Sequence, residues 1–276
     1  MNLNTVTEVK QPASAEEIRE WRQGYAWLAG GTWLFSTPQI DTHTLIDLES
    51  LRWPALKATA AGLDIAATCT MAELDRFKAP AEWSAAPLLG LCCRSLLMSF
   101  KIWNAATVGG NICMSLPAGS MITLTTALEG VYTLWPRDGK PRAVAALDFV
   151  TGNHMNVLAP GELLRSIHLP ASALSKRFAF RRSSLTHLGR SAVLMIGTQS
   201  ANGDDLLLTV TAATIRPMQL RFDRVPTAAK LRHAIDAHIA DADYFDDVHG
   251  SAAYKRHLTY YYAEQIRAEL QRGAAK

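Results

Sequence analysis

The chain has 276 residues, a formal net charge of +3 and 49% hydrophobic residues. This length favours two packed domains, and the hydrophobic fraction excludes a disordered chain. The near-neutral net charge gives no indication of nucleic-acid binding. Charged residues reach only 19%, below the roughly 25% of an ordinary soluble domain, which indicates that partner chains cover part of the surface. Because no apolar run reaches the ~18 residues of a membrane span and the N-terminus lacks a signal-peptide stretch, we expect no membrane partner and a cytoplasmic protein.

Short apolar runs and capping patterns predict an irregular mixture of strands and helices in the first half. The predicted strands are residues 26–29, 44–48, 63–67, 131–135 and 164–169. Capping boxes at Ser14–Glu17 and Thr70–Glu73 predict two helices, and residues 86–100 predict a longer one. Asp138-Gly139 is typical of a turn. Such a mixture, without regular alternation, favours an α+β fold over a parallel βαβ sheet.

A small sheet followed by helices is predicted for the second half. The strands are residues 177–183, 192–200 and 205–215, with a hairpin turn at Asn202-Gly203. The helices are residues 228–240 and 251–270, the latter with Ser251 as N-cap. In the last helix we expect one face to be shared by Tyr254, Leu258, Tyr261 and Leu270. We expect Lys255-Arg256 on a solvated face, with contact to a partner as the alternative.

No metal site is indicated by the cysteines or the histidines. Cys92 and Cys93 are adjacent, and neither they nor Cys69 and Cys113 form a C-x-x-C pair, so we expect buried, reduced thiols. The eight histidines are scattered and show no H-E-x-x-H spacing.

Two glycine pairs carry most of the chemical signal. They lie in a first glycine segment, residues 29–34 (AGGTWL), and a second glycine segment, residues 106–112 (ATVGGNI). Each pair follows a predicted element. Glycine permits positive φ and close approach of a ligand, and consecutive inward-turned amides form an anion-binding nest. A tight turn is the alternative for each pair. No G-x-G-x-x-G opens a helix after a strand, so the nicotinamide Rossmann fingerprint is missing, and the absence of G-x-x-x-x-G-K-[ST] excludes a P-loop.

Four motifs together resemble one family across nearly the whole chain. They are AGGTWL, NAATVGGNI, GELLRSIHLP and the segment from Ser251 to Arg256 (SAAYKR). In this order and spacing they resemble the FAD-binding, medium subunit of molybdenum hydroxylases such as xanthine dehydrogenase and carbon monoxide dehydrogenase, in a compact, divergent bacterial branch.

The resemblance implies a fold and a domain division. The expected fold is a two-part PCMH-type FAD-binding domain at residues 1–172, with subdomains at about 1–56 and 57–172. A small C-terminal domain of the carbon monoxide dehydrogenase flavoprotein type, a sheet plus helices, is expected at residues 173–276.

The resemblance also implies a cofactor site without a catalytic residue or a metal ligand in this chain. The cofactor would be non-covalent FAD, since no histidine follows either glycine pair. The implied FAD-binding residues are Ala29, Gly30, Gly31, Thr32, Trp33, Leu34, Thr107, Gly109, Gly110, Asn111, Ser120, Leu164 and Arg181. For Leu164 and Arg181, a core leucine and a solvated arginine are the alternatives.

By the same resemblance, the chain would work within a complex. Molybdopterin and two [2Fe–2S] clusters would lie on partner subunits, and FAD would pass electrons to NAD or to another acceptor. Three departures from the family pattern support a second hypothesis, a degenerate flavin subunit that acts as an assembly scaffold. These departures are Trp33, the segment 116–120 ending in Ser120, and the pair Leu185 and Gly189. A third hypothesis, a stand-alone flavin oxidase or reductase, lacks an acid or base to support it.

Overall fold

The structure is a computed structural model that describes residues 3–14, 16–18, 20–96, 98–136, 140–186, 189–201 and 203–274. Within these ranges the strands form three sheets and a separate two-stranded hairpin. The strands are β1 (Glu8–Lys10), β2 (Tyr25–Leu28), β3 (Thr44–Asp47), β4 (Leu56–Thr59), β5 (Gly62–Ala66), β6 (Val131–Trp135), β7 (Arg142–Ala145), β8 (Val150–Gly152), β9 (Met155–Asn156), β10 (Leu163–Pro170), β11 (Arg177–Ser183), β12 (Val193–Gln199), β13 (Leu206–Thr211) and β14 (Met218–Phe222). The helices are α1 (Met71–Asp75), α2 (Pro87–Arg94), α3 (Phe100–Trp103), α4 (Val108–Cys113), α5 (Ser120–Ala127), α6 (Ala146–Phe149), α7 (Ala171–Leu174), α8 (Ala228–His238) and α9 (Ala252–Ala274).

The N-terminal sheet is small and parallel, in the order β1-β3-β2. Its core joins Ile18, Ile46 and Leu48 to Leu163 of β10. The helix predicted from the first capping box is wrong, because residues 16–18 form only one 3-10 turn. Ile18 is the one buried residue of that turn, so there is too little packing to hold a helix.

The central sheet is antiparallel, in the order β4-β5-β10-β6-β7, and carries the largest core. The apolar runs at residues 63–67, 131–135 and 164–169 form β5, β6 and β10, as predicted. The second capping box is confirmed at α1, where Thr70 Oγ1 accepts the Glu73 N–H and the Glu73 carboxylate accepts the Thr70 N–H. The Asp138-Gly139 turn lies outside the described residues.

The single helix predicted over residues 86–100 is wrong. Helix α2 ends at Arg94, and α3 begins only at Phe100. The Ser95 hydroxyl donates to the Leu91 carbonyl at 2.8 Å, where α2 ends. In such a bond the hydroxyl competes with a backbone N–H for a carbonyl of the helix. The chain between the two helices contributes instead to the wall of a cleft.

The C-terminal sheet is an antiparallel meander, β11-β12-β13-β14. Strands β11, β12 and β13 match the predicted runs, whereas β14 was missed although its sequence, MQLRF, alternates between apolar and polar residues. The strands β12 and β13 pair as the predicted turn requires, although Asn202 lies outside the described residues. Helices α8 and α9 pack on one face of this sheet, with their own apolar core.

Helix α5 lies between the central core and the other face of the C-terminal sheet. All eight of its residues are buried. The hydroxyls of Thr123 and Thr211 share a hydrogen bond of 2.6 Å, and the Ala212 N–H donates to the Pro117 carbonyl at 2.8 Å. The two parts of the chain are therefore joined by polar contacts as well as by packing.

The last helix begins as predicted but buries a different face. The Ser251 hydroxyl accepts the Tyr254 N–H at 3.3 Å and caps α9. The expected shared face is wrong, since Tyr254 and Tyr261 are exposed while Leu258 and Leu270 are buried. The buried residues follow helical spacing: Lys255, Leu258, Thr259, Ala263, Ile266 and Leu270.

All four cysteines are free thiols. Cys69, Cys92 and Cys93 are buried and Cys113 is half-buried. Burial raises the pKa of Cys93 and of Cys113 to about 12, and it also raises the pKa values of Cys69 and Cys92. Across the described part of the chain, every helix is too short or too polar to span a bilayer.

Candidate functional site

A cleft of about 610 Å³ lies where the two glycine segments meet, a volume within the usual range for small-molecule sites. Its walls come from all parts of the chain. The lining residues of the two glycine segments are Ala29, Gly30, Gly31, Thr32, Trp33, Leu34, Ala106, Thr107, Gly110 and Asn111. The sequence therefore predicted two segments, about eighty residues apart, that the fold brings together.

The first glycine segment follows β2 directly and lines the cleft. Gly31 has a φ of +65°, the left-handed conformation that glycine adopts at little cost. Among the described residues, the amides of residues 30–34 have no acceptor. Gly30 lies so close to the Ala105 carbonyl that an added Cβ would be 1.6 Å from its oxygen. A run of free amides around a left-handed residue is the arrangement of an anion-binding nest.

The second glycine segment differs from this expectation, because its amides are already used. Its pair lies within the first turn of α4 rather than after a helix. Gly109 donates its N–H to the Ala67 carbonyl at 2.9 Å, and Gly110 donates to Thr107 Oγ1 at 3.0 Å. An added Cβ on Gly109 would lie 2.5 Å from the Ala67 Cβ. The pair therefore permits close packing of α4 and forms no second nest.

Side chains of the second segment still offer polar groups to the cleft. Asn111 Oδ1 accepts the Met121 N–H at 3.1 Å, which fixes the amide group and leaves its Nδ2 without an acceptor among the described residues. Thr107 Oγ1 accepts from Gly110, so its own proton is free to donate. Both residues line the cleft.

Four further predicted residues lie behind the wall or away from it. Gly109 packs on Ala67, and Leu164 is buried in the central core. Ser120 is fully buried at the start of α5, and its hydroxyl has no partner among the described residues. Arg181 on β11 donates to Glu269 at 2.5 Å and to Gln265 at 2.8 Å on α9. None of the four lines the cleft.

The C-terminal half supplies a cleft wall that sequence reasoning missed. This wall consists of Arg190, Ser191, Phe245, Asp247, Val248 and His249. The Lys255 ammonium donates to Asp247 Oδ1 at 2.8 Å, and the same oxygen accepts the His249 N–H at 2.8 Å. Because Lys255 is fully buried, its expected place on a solvated face is wrong. The lysine fixes the loop that closes this side of the cleft.

An aromatic pair also faces the cleft. Trp33 of the first glycine segment contacts His154, with ring centroids 5.8 Å apart. His154 stands in the turn between β8 and β9 with a φ of +57°, which is uncommon for residues other than glycine. The preceding glycine and asparagine indicate a turn, but nothing in the sequence places that turn at the cleft.

Comparison with known proteins agrees with this architecture. Residues 4–172 match the family model described as "FAD binding domain in molybdopterin dehydrogenase". The chain is 33% identical over 87 residues to the carbon monoxide dehydrogenase medium chain of Afipia carboxidovorans, covering 32% of this chain and 30% of that one. It is 24% identical over 170 residues to the nicotine 6-hydroxylase medium subunit of Paenarthrobacter nicotinovorans, covering 57% of this chain and 58% of that one.

A solved structure matches over the full length. The structure of quinoline 2-oxidoreductase from Pseudomonas putida 86 contains a chain that superposes with a TM-score of 0.82 at 18% identity, covering 100% of both chains. Fold and family match together define the class, a flavin-nucleotide-binding protein. The chain belongs to the family of FAD-binding domains in molybdopterin dehydrogenases. The sequence alignments span less than two thirds of these curated relatives.

Proposed function

We propose that this chain is the FAD-binding electron-transfer subunit of a multi-subunit molybdenum hydroxylase. In this function it receives electrons from [2Fe–2S] clusters on one partner subunit, while a molybdenum-cofactor subunit oxidises the substrate. The acceptor is NAD or another electron carrier. The medium chains to which it is similar belong to carbon monoxide dehydrogenase and nicotine 6-hydroxylase, and their names support this kind of assembly.

The observation that carries the proposal is the run of free amides at residues 30–34. A diphosphate carries its charge on oxygens that accept several N–H groups at once, and free amides bind such an anion without a cationic side chain. The absence of side chains at Gly30 and Gly31 lets the ligand reach the backbone. The residues present therefore fit FAD, with its diphosphate against the first glycine segment.

The other residues predicted to bind FAD differ in whether they lie at the cleft. Thr107 and Asn111 hold free donors at the cleft and would bind hydroxyl or ring acceptors of the cofactor. The Ser120 hydroxyl, buried without a partner among the described residues, lies next to cleft-lining Gly119. Leu164 and Arg181 lie outside the cleft wall, and their cofactor roles stay predictions. The division into residues 1–172 and 173–276 is part of the same proposal.

Bound FAD would supply the electron chemistry, accepting electrons and passing them on singly or as hydride. The chain's own residues bind it, orient it and shield it from water. The amides of the first glycine segment would hold the anion, and the close packing of α4 on Ala67 supports the second glycine segment at the cleft wall. The loop fixed by Lys255 closes the opposite side. No residue of this chain is assigned the role of a general acid or base.

Binding of flavins to the purified full chain tests the proposal. Titrations with FAD, FMN and riboflavin should give decreasing affinity in that order, because the amide run binds phosphate groups. Free ADP should compete with FAD. As a matched pair, Gly31→Ala strains the nest, where φ is +65°, whereas Gly152→Ala changes a glycine outside it. Equal affinity for FAD and riboflavin would contradict the nest, and no binding of any flavin would contradict the function.

The partner and acceptor assignments need a separate experiment. Co-expression with the neighbouring reading frames should yield a complex that contains a cysteine-rich [2Fe–2S] chain and a molybdopterin chain. Anaerobic NADH should then bleach the visible flavin absorbance if NAD is the acceptor. A complex that is reduced by its substrate but not by NADH would assign another acceptor.

A degenerate subunit that serves as an assembly scaffold is the alternative. One observation favours this alternative. Asp247 is the one carboxylate among the described residues that line the cleft, and it is already bound by Lys255. No free carboxylate is then available to accept ribose hydroxyls. Ala118→Trp, which adds bulk at the cleft wall, tests this in the intact complex. A complex that assembles but loses acceptor reduction excludes the scaffold role.

A further inference from the structure

Two rings at the cleft have no role in the function proposed so far. Trp33 stands within the first glycine segment, and its side chain is 38% exposed although it contacts His154. The ring planes are tilted by 47° at a centroid distance of 5.8 Å. Because Trp33 also lines the cleft, its exposed part is available to a ligand bound there.

The backbone, rather than chance packing, fixes His154 beside Trp33. The His154 N–H donates to the Ser115 carbonyl at 2.9 Å. Asn156, two residues further on, donates to the Cys113 carbonyl and to the Ser115 hydroxyl, each at 3.0 Å. The turn between β8 and β9 is thus tied to the end of α4.

The position of Trp33 along the chain places it in the proposed anion-binding segment. Its own N–H belongs to the free amide run at residues 30–34, so its ring starts within one residue of the anion site. FAD carries a planar ring system on each side of its diphosphate. A ring bound near this segment is therefore within reach of the indole, and stacking needs only an open π-face.

We propose that Trp33 and His154 form a stacking platform that binds a planar nitrogen-containing ring of the cofactor, adenine or isoalloxazine. This inference rests on the proposed FAD-binding function and deepens it by naming residues that select an aromatic group.

Equilibrium titration of the full chain with FAD tests the platform. Trp33→Ala should weaken FAD binding about tenfold, whereas Trp33→Phe, which keeps an aromatic face, should stay within a few-fold of wild type. His154→Asn removes the second ring but keeps a residue that tolerates the left-handed turn, and it should also weaken binding. Phe100→Ala is the matched control, because Phe100 is 80% exposed and lies outside the cleft wall.

Two smaller probes identify the ring. If adenine is the partner, Trp33→Ala weakens ADP and leaves FMN unchanged. If isoalloxazine is the partner, FMN binding weakens, and the fluorescence quenching of bound FMN in wild type is lost in the variant. Trp33→Ala binding FAD as tightly as wild type would overturn the platform while leaving the proposed function intact. A wild-type chain that binds no flavin would overturn both.

Discussion

Replacing Lys255 with methionine should destabilise the fold measurably, since the residue sits at the start of α9 with no exposure to water. Its ammonium donates to Asp247 Oδ1 at 2.8 Å and lies 5.2 Å from the Phe245 ring centroid. Methionine keeps most of the aliphatic stem and its packing, so the variant removes mainly the charge. The Asp247 carboxylate is then left without its cation.

The magnitude follows from the burial of the two partners. Removing one member of a fully buried ion pair costs about 3–5 kcal/mol. The Asp247 side chain is 23% exposed at the cleft, so water can solvate part of its charge, and we expect about 2 kcal/mol. For a chain of this size, that loss lowers the Tm by roughly 4–8 °C.

Urea unfolding followed by circular dichroism, together with thermal melts, measures this effect. Arg256→Met is the matched control, because the neighbouring Arg256 is 42% exposed in its ion pairs, where water screens the charges, and its replacement should change stability much less. In the double variant Lys255→Met/Asp247→Asn, the neutral amide needs no cation, so stability should recover in part. A Lys255→Met variant within about 0.5 kcal/mol of wild type would refute the reasoning.

Three further predictions concern backbone strain, pH and thiol reactivity. Gly31→Ala should lower the free energy of unfolding in urea by about 1–2 kcal/mol, because φ is +65° and the added Cβ meets the Phe35 ring at 2.5 Å. The control Gly152→Ala, whose added Cβ has its nearest contact at 3.3 Å, should lower it much less. Equal losses of stability in the two variants would contradict backbone strain at Gly31. Burial pushes the pKa of Glu129 upward, but hydrogen bonds from Lys176 and Arg221 outweigh it and leave the pKa below its ordinary 4.5. Its contribution to stability is therefore full above that value and lost as the pH falls through the lowered pKa, so Glu129→Gln should flatten the acid limb of a stability–pH profile. With a thiol reagent at neutral pH, half-buried Cys113 should react first, whereas buried Cys69, Cys92 and Cys93 should react only when the chain unfolds. Rapid labelling of all four thiols in the folded chain would contradict this burial.

Local chemistry predicted some elements from the sequence, although the first capping box did not yield a helix. The capping box at Thr70 and Glu73 depends on contacts three residues apart, and α1 begins there. The alternating run at residues 131–135 became β6 with the same bounds. By contrast, residues 86–100 have a helical composition, but Ser95 bonds back to Leu91 and the chain turns into the cleft. The Ser95 bond is local, but the course of the following chain along the cleft depends on tertiary contacts, which composition does not show.

Those parts of the candidate site that contain glycine pairs could be predicted from the sequence. The parts formed where distant segments meet could not. Gly30 and Gly31 were recognisable as a pair that permits close approach, and they line the cleft. The second pair has the same letters but a helical setting, so its amides are bonded within the protein. The wall around Asp247 was missed because its order comes from Lys255, eight residues on, whose burial is decided by the packing of α9.

The burial of α5 has a consequence for any attempt to produce the N-terminal part alone. Its eight residues are covered partly by β12 and β13, which lie beyond residue 172. A fragment ending there would expose this helix together with the threonine hydroxyl that pairs with Thr211. Such a surface favours aggregation over a soluble fragment. A boundary where the sequence pattern changes is thus no place to cut this protein.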